Sequence, residues 1–148
     1  ASEALSVNYD QNQVVIRFSE EATFRSGEAA IKPEMIPIIE RVVNVLSACT
    51  GDVLVSGYTD NRPISSDRYR SNWDLSAARA VSVVHELVMN RQVPAERVVA
   101  AGRAETNPLA PNDTPENRAL NRRVEIAIRN PECNDEVPIG DLPVEIRP

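Results

Sequence analysis

Asp52-Val-Leu-Val-Ser-Gly-Tyr-Thr-Asp60 is the stretch whose reading decides the fold. Its apolar, β-branched start predicts a strand over residues 52–58. Thr59-Asp60-Asn61-Arg62-Pro63 is a cluster of turn formers that ends it. A polar loop carrying Arg62, Arg68 and Arg70 then leads to Asn72, a candidate N-cap. From Trp73 to about Asn90 apolar residues recur at helical spacing. Leu75, Ala78, Val81 (or Ala77), Val84 and Val88 form the expected inner stripe. Val93-Pro94-Ala95 turns the chain, and Arg97-Val-Val-Ala-Ala-Gly102 predicts the next strand. A strand, a helix and a strand in that order imply a parallel pair joined by a crossover.

The same grammar extends to both sides. Upstream, Gln13-Val-Val-Ile-Arg-Phe18 predicts a strand, followed by a polar loop with Phe24 and Gly27. Lys32-Pro33-Glu34 suits a helix start. Met35, Ile38, Ile39, Val42 and Leu46 continue that helix to about Ser47. Downstream, Thr114-Pro115-Glu116 opens a short helix to about Asn121, and Arg123-Val-Glu-Ile-Ala-Ile128 alternates polar and apolar as a half-exposed strand does. The expected class is α/β, an α+β sandwich of order β-α-β-α-β-(α)-β. Its mixed four-stranded sheet is expected to have helices covering one face. Residues 1–12 read as a polar leader, 13–130 as the domain, and 131–148 as an acidic, Pro-rich tail outside the core.

Composition narrows the chemistry. The 148 residues carry a formal charge of −6. The first thirty hold five acids against two arginines, and the last eighteen hold five acids against Arg147, so the central part is close to neutral. A net-acidic domain argues against sequence-independent nucleic-acid binding. The longest apolar runs are too short to span a bilayer. With Ala1 rather than Met at its start, the chain reads as a mature form or an excised fragment. Lys32 is the only lysine; the other cations are arginines, which suit fixed grips on carboxylates, although a biased base composition gives the same count. Cys49, Cys133 and His85 are too few and too scattered for a structural zinc site. No metal or cofactor is expected. His85 falls within a helical stretch and no nucleophile-elbow motif is present, so it reads as a helix-surface or partly buried residue.

Three motifs carry a family resemblance. Gly57-Tyr58-Thr59-Asp60, then Asn72-Trp-Asp-Leu75-Ser76-Ala-Ala-Arg79-Ala80, then Asn121-Arg122-Arg123-Val124-Glu125 resemble the OmpA-like C-terminal domain. Phe24-Arg-Ser-Gly27-Glu-Ala-Ala-Ile31-Lys-Pro33-Glu34 is similar to that family's entry to its first helix. Together they cover roughly residues 13–130. Thr59-Asp-Asn-Arg-Pro-Ile-Ser65 and the long loop to Ser71 are most similar to the MotB/PomB group of flagellar stator B subunits. The resemblance implies non-covalent peptidoglycan binding in a bacterial periplasm. It also implies a fragment of a single-pass inner-membrane protein whose transmembrane segment is absent from this chain. The implied partners are the peptidoglycan stem peptide, a second copy of the chain and, through the full-length protein, the stator A subunit and the flagellar basal-body rings.

In the family, the acid of the Thr-Asp turn and the arginine of the Leu-Ser-x-x-Arg-Ala helix grip diaminopimelate. The matching positions are Asp60 and Arg79. The far end of that side chain bears an ammonium and a carboxylate on one carbon, so a fixed carboxylate and a fixed guanidinium complement it. The resemblance extends the site to Thr59, Asn72, Leu75, Arg122 and Arg123. Each has a plain alternative. Asp60 caps its turn, Arg79 pairs with Asp60 or Asp74 on the surface, Asn72 caps the helix, and Leu75 packs with its amide near the ligand. Alternation sends Arg122 and Arg123 opposite ways, so at most one is expected at the site. Trp73 reads as a packing residue rather than a sugar platform. The Arg62, Arg68, Arg70 cluster reads as a solvated loop or as a contact for peptide carboxylates or glycan.

Cys49 precedes the second expected strand and Cys133 follows the last, which is expected to run antiparallel to it. Both then emerge at one end of the sheet, and an oxidising periplasm permits a disulfide. A bridge and two free thiols remain the alternatives. Three functions compete: a stator anchor, an anchor for another envelope system such as an outer-membrane protein, lipoprotein or secretion system, and a peptidoglycan hydrolase. The hydrolase needs a nucleophile or a tuned carboxylate pair, and none stands out. A non-enzymatic binding module is expected.

Overall fold

The computed structural model describes residues 5–9, 12–89, 92–133 and 145–147. The chain runs β1 (Leu5–Tyr9), β2 (Gln13–Ser19), α1 (Glu20–Thr23), α2 (Ile36–Ala48), β3 (Val53–Tyr58), α3 (Asn72–Val88), β4 (Val98–Gly102), α4 (Pro115–Asn121), β5 (Arg123–Arg129) and β6 (Glu145–Arg147). Short 3-10 turns, Pro33–Met35 and Ala95–Arg97, precede α2 and β4. The expected class and its central order of strands and helices match this architecture.

The sheet is larger than expected. It has six strands in the order β4-β3-β5-β2-β1-β6. β3 and β4 are the parallel pair that the central stretch implied. β2 also runs parallel to β3, but β5 lies between them and pairs antiparallel with both. The stretch read as a leader supplies β1, which pairs antiparallel with β2 from Leu5 opposite Phe18 to Tyr9 opposite Val14. Leu5 and Val7 point inward and are fully buried, a period-two signal two residues long. From the expected tail, Glu145–Arg147 runs parallel to β1 as β6. Residues 134–144 and 148 of that expectation lie outside the described residues.

One face of the sheet carries the core. Val14, Ile16 and Phe18 of β2, Val53 and Val55 of β3, and Val124, Ile126 and Ile128 of β5 meet the buried face of α2 (Ile39, Val42, Val43, Leu46) and of α3 (Ala80, Val83, Leu87). At the opposite face Arg17 of β2 lies across from Glu125 of β5, their side chains 2.9 Å apart.

α3 is rotated from the expected stripe. Its buried residues are Asn72, Leu75, Ser76, Arg79, Ala80, Val83 and Leu87, while Val81 is exposed. The N-cap is Ser71, not Asn72: the Ser71 hydroxyl accepts the Asp74 amide at 3.4 Å, and Asn72 is the first helical residue. Trp73, expected to pack, is instead 53% exposed. Gly57 of β3 and Gly102 of β4 allow α3 to lie close against the strands. A Cβ on Gly57 would run into the Ser76 carbonyl oxygen, and one on Gly102 would sit 2.6 Å from the Ala77 nitrogen.

A disulfide joins Cys49, just after α2, to Cys133, just after β5, across 84 residues of sequence. It closes the end of the sheet where β3 begins and β5 finishes. The other end, where β2, β3 and β4 finish and β1 and β5 begin, holds the polar cluster described next.

Candidate functional site

Asp60 lies two residues past the end of β3 and is 6% exposed. Its side chain closes the turn that follows, since Oδ1 accepts the Arg62 amide at 2.9 Å. Its other oxygen accepts Arg122 Nη1 at 2.7 Å. Thr59 donates its hydroxyl to the Asp60 carbonyl at 2.8 Å, and its amide donates to the Ala104 carbonyl at 2.8 Å. Asn72 reaches back from α3, with Nδ2 donating to the Arg62 carbonyl at 3.0 Å and to the Asp60 carbonyl at 3.5 Å. It thus staples the loop to the helix and leaves capping to Ser71.

Arg79, two turns along α3, does not meet Asp60. Its side chain is 3% exposed and ends on Glu20, with Nη1 to Oε2 at 2.6 Å. Its Nε donates to the Glu28 carbonyl at 2.8 Å, and Nη2 donates to the Arg25 carbonyl at 3.3 Å. The Phe24 ring lies 4.9 Å from its guanidinium carbon. Neither surface pairing open from the sequence occurs. Asp74 is held instead by Arg70, whose amide and guanidinium keep its carboxyl below the usual carboxylate range.

Arg122 links the two halves. Its Nε donates to Glu20 Oε1 at 2.9 Å while Nη1 holds Asp60. Burial by itself would lower its pKa. The hydrogen bond to Asp60, together with the charge and hydrogen bond of Glu20, more than offsets this and raises it. Arg123 points away, as alternation requires. Its guanidinium lies 3.9 Å from the centre of the Tyr58 ring and pairs with Glu125 at 2.7 Å. The result is a continuous ionic chain, Asp60–Arg122–Glu20–Arg79, of two carboxylates and two guanidiniums.

These groups line an open depression of about 430 Å³. Asp60, Thr59, Asn72, Leu75, Arg79 and Arg122 of the expected site face it, and Arg62 joins them; Arg123 does not. Glu20, at the centre of the network, was missed from sequence. It belongs to a stretch read as loop, and only its position just after β2 marks it.

The chain matches the family model described as the OmpA family over residues 23–122. It belongs to the OmpA family. Among its relatives, motility protein B of Bacillus subtilis (strain 168) is 37% identical over 116 residues, covering 78% of this chain and 44% of that protein. The peptidoglycan-binding protein ArfA of Mycobacterium tuberculosis (strain ATCC 25618 / H37Rv) is 38% identical over 106 residues, covering 71% of this chain and 31% of that protein. The solved cell wall anchor of the T6SS from Pseudomonas aeruginosa superposes with a TM-score of 0.80 at 38% identity, covering 86% of this chain and 88% of that one. The chain spans about half the length of the curated relatives it matches.

Proposed function

We propose that this domain binds peptidoglycan non-covalently through the depression at the sheet edge, gripping the zwitterionic end of diaminopimelate in the stem peptide. The observation that carries the reading is the ionic chain: Asp60 supplies a carboxylate and Arg122 a guanidinium, 2.7 Å apart, and both line one depression. An ammonium that replaces Arg122 at Asp60, and a carboxylate that takes the released guanidinium, leave every charge paired. The names of ArfA and of the secretion-system anchor point to the same substrate class. The reading is binding rather than hydrolysis, and the guanidiniums that hold both carboxylates of the ionic chain support it.

Within that reading the domain serves as the wall anchor of a flagellar stator, in a periplasmic region tethered to the inner membrane and paired with a second copy. Motility protein B supports this. The secretion-system anchor, of comparable identity, supports the second reading, an anchor for another envelope machine. The sequence encoded upstream of Ala1 separates the two, since a single membrane helix with an embedded acid fits the stator.

The direct test is co-sedimentation with isolated peptidoglycan. The unaltered domain is expected in the pellet, and Asp60→Asn in the supernatant with an unchanged circular dichroism spectrum. Equal sedimentation of the two proteins overturns the site.

A further inference from the structure

Glu20 is the first residue of α1, a single helical turn capped by Ser19, whose hydroxyl accepts the Ala22 amide at 3.4 Å. Its own amide donates to the Arg122 carbonyl at 3.1 Å, so its backbone is tied to the start of β5. Its carboxylate is 11% exposed and divides its oxygens between the two guanidiniums, Oε2 to Arg79 and Oε1 to Arg122. Phe24, four residues on, is 2% exposed and lies against Arg79. The carboxylate is therefore fixed at both its backbone and its oxygens.

Counting charge gives this residue a purpose that its contacts alone do not. With Glu20 the buried ionic chain of the depression holds two carboxylates and two guanidiniums, each paired, while the third guanidinium of the lining, Arg62, is exposed and its charge is screened by solvent. Without it, Arg122 keeps Asp60, and the Arg79 guanidinium, whose side chain is 3% exposed, is left without an anion. Uncompensated buried charge is strongly unfavourable. A balanced set of buried charges favours a guest that brings no net charge to it. A ligand with only a carboxylate draws Arg122 away from Asp60 and leaves that acid unpaired. One with only an ammonium takes Asp60 and leaves Arg122 half-paired. The amino-acid head of diaminopimelate does neither, because it brings both charges at once.

We propose that Glu20 is the specificity-determining residue of this site: it sets the charge balance that makes the depression select a zwitterionic head over a purely anionic or purely cationic one. The inference rests on the function proposed above. It deepens it by assigning the discrimination to a residue outside the Asp60–Arg79 motif and without a required contact to the ligand.

The test uses three synthetic stem tripeptides. One ends in diaminopimelate, one in 2-aminopimelate, which keeps the distal carboxylate but lacks its ammonium, and one in lysine, which keeps the ammonium but lacks the carboxylate. Titration of the unaltered protein followed by NMR is expected to rank the diaminopimelate peptide first. Glu20→Gln makes the site one charge more positive. It is expected to cut the preference for diaminopimelate over 2-aminopimelate by roughly tenfold or more, the scale of one charge-assisted hydrogen bond. Glu20→Asp keeps the charge and is expected to hold that preference within about threefold while weakening all three peptides together. A residue that only supports the fold would weaken the three peptides equally in both variants.

An unchanged preference in Glu20→Gln overturns the role of Glu20 and leaves peptidoglycan binding standing. So does a preference lost in Glu20→Asp, which also decides the matter should the Gln variant fail to fold. Absence of binding by the unaltered protein overturns the proposed function, and this inference with it.

Discussion

Arg79 has almost no contact with water, and its guanidinium is met by Glu20, two backbone carbonyls and an aromatic ring. Its removal strands a buried carboxylate. Arg79→Met is expected to destabilise the domain by about 3–5 kcal/mol, the usual consequence of deleting one partner of a buried ion pair. Urea denaturation measures this, and a loss under about 1 kcal/mol would show that Glu20 is well enough served by Arg122 alone. The motif residues Asp60 and Arg79 were legible because the family resemblance marks them. Their geometry was not, because the sequence suggested direct complementarity between them. The structure instead inserts Arg122 and Glu20. An acid in a four-residue helix leaves no periodic trace, so its partnership with residues 59 and 102 positions away is visible only after folding.

At the scale of elements, α3 shows where pattern reading loses its hold. A hydrophobicity stripe assigns the inner face to the most apolar residues. The true inner face is shared between core and candidate site, and Asn72, Ser76 and Arg79 occupy its N-terminal half. The site thus displaces the stripe toward polar residues, and Val81 turns outward. α2 has no site to serve, and four of its five expected stripe residues are buried, with Ile38 packed at the margin. The close seating of α3 depends on two strand glycines. Gly57→Ala and Gly102→Ala are each expected to cost about 1–3 kcal/mol by overpacking, because the new methyl meets backbone rather than a movable side chain. Thermal denaturation reads the loss. Gly57→Ala should also weaken wall binding, since pushing α3 outward moves Asn72 and Arg79 away from β3 and its turn.

For the whole molecule, the covalent tie lies at the end of the sheet remote from the candidate site. In the chain-entropy picture a bridge closing 84 residues adds about 4.5 kcal/mol. Reduction is therefore expected to lower the denaturation midpoint sharply while leaving peptidoglycan sedimentation unchanged in the absence of denaturant. If reduction releases the wall polymer, the two ends of the sheet are coupled. Both cysteines were placed at one end of the sheet from strand order alone, whereas β1 and β6 escaped notice. Two inward residues in a five-residue strand, and three residues late in a Pro-rich stretch, are too brief to stand out. They become strands because β2 offers an edge already ordered by β5.

The chain enters the sheet at Leu5, opposite Phe18 and one strand away from Ser19 and Glu20. Entry point and ionic cluster thus share one rim. If the proposed wall anchoring holds, a pull on the chain at Leu5 against a wall bound at Asp60 and Arg122 would follow a short load path, across the first ladder rungs of β1 and β2. That path bypasses the helical core and the bridged far end. Under strain β1 is expected to peel from the Leu5 end while β2, β3 and β5 keep the grip intact, so the domain would lengthen before it lets go.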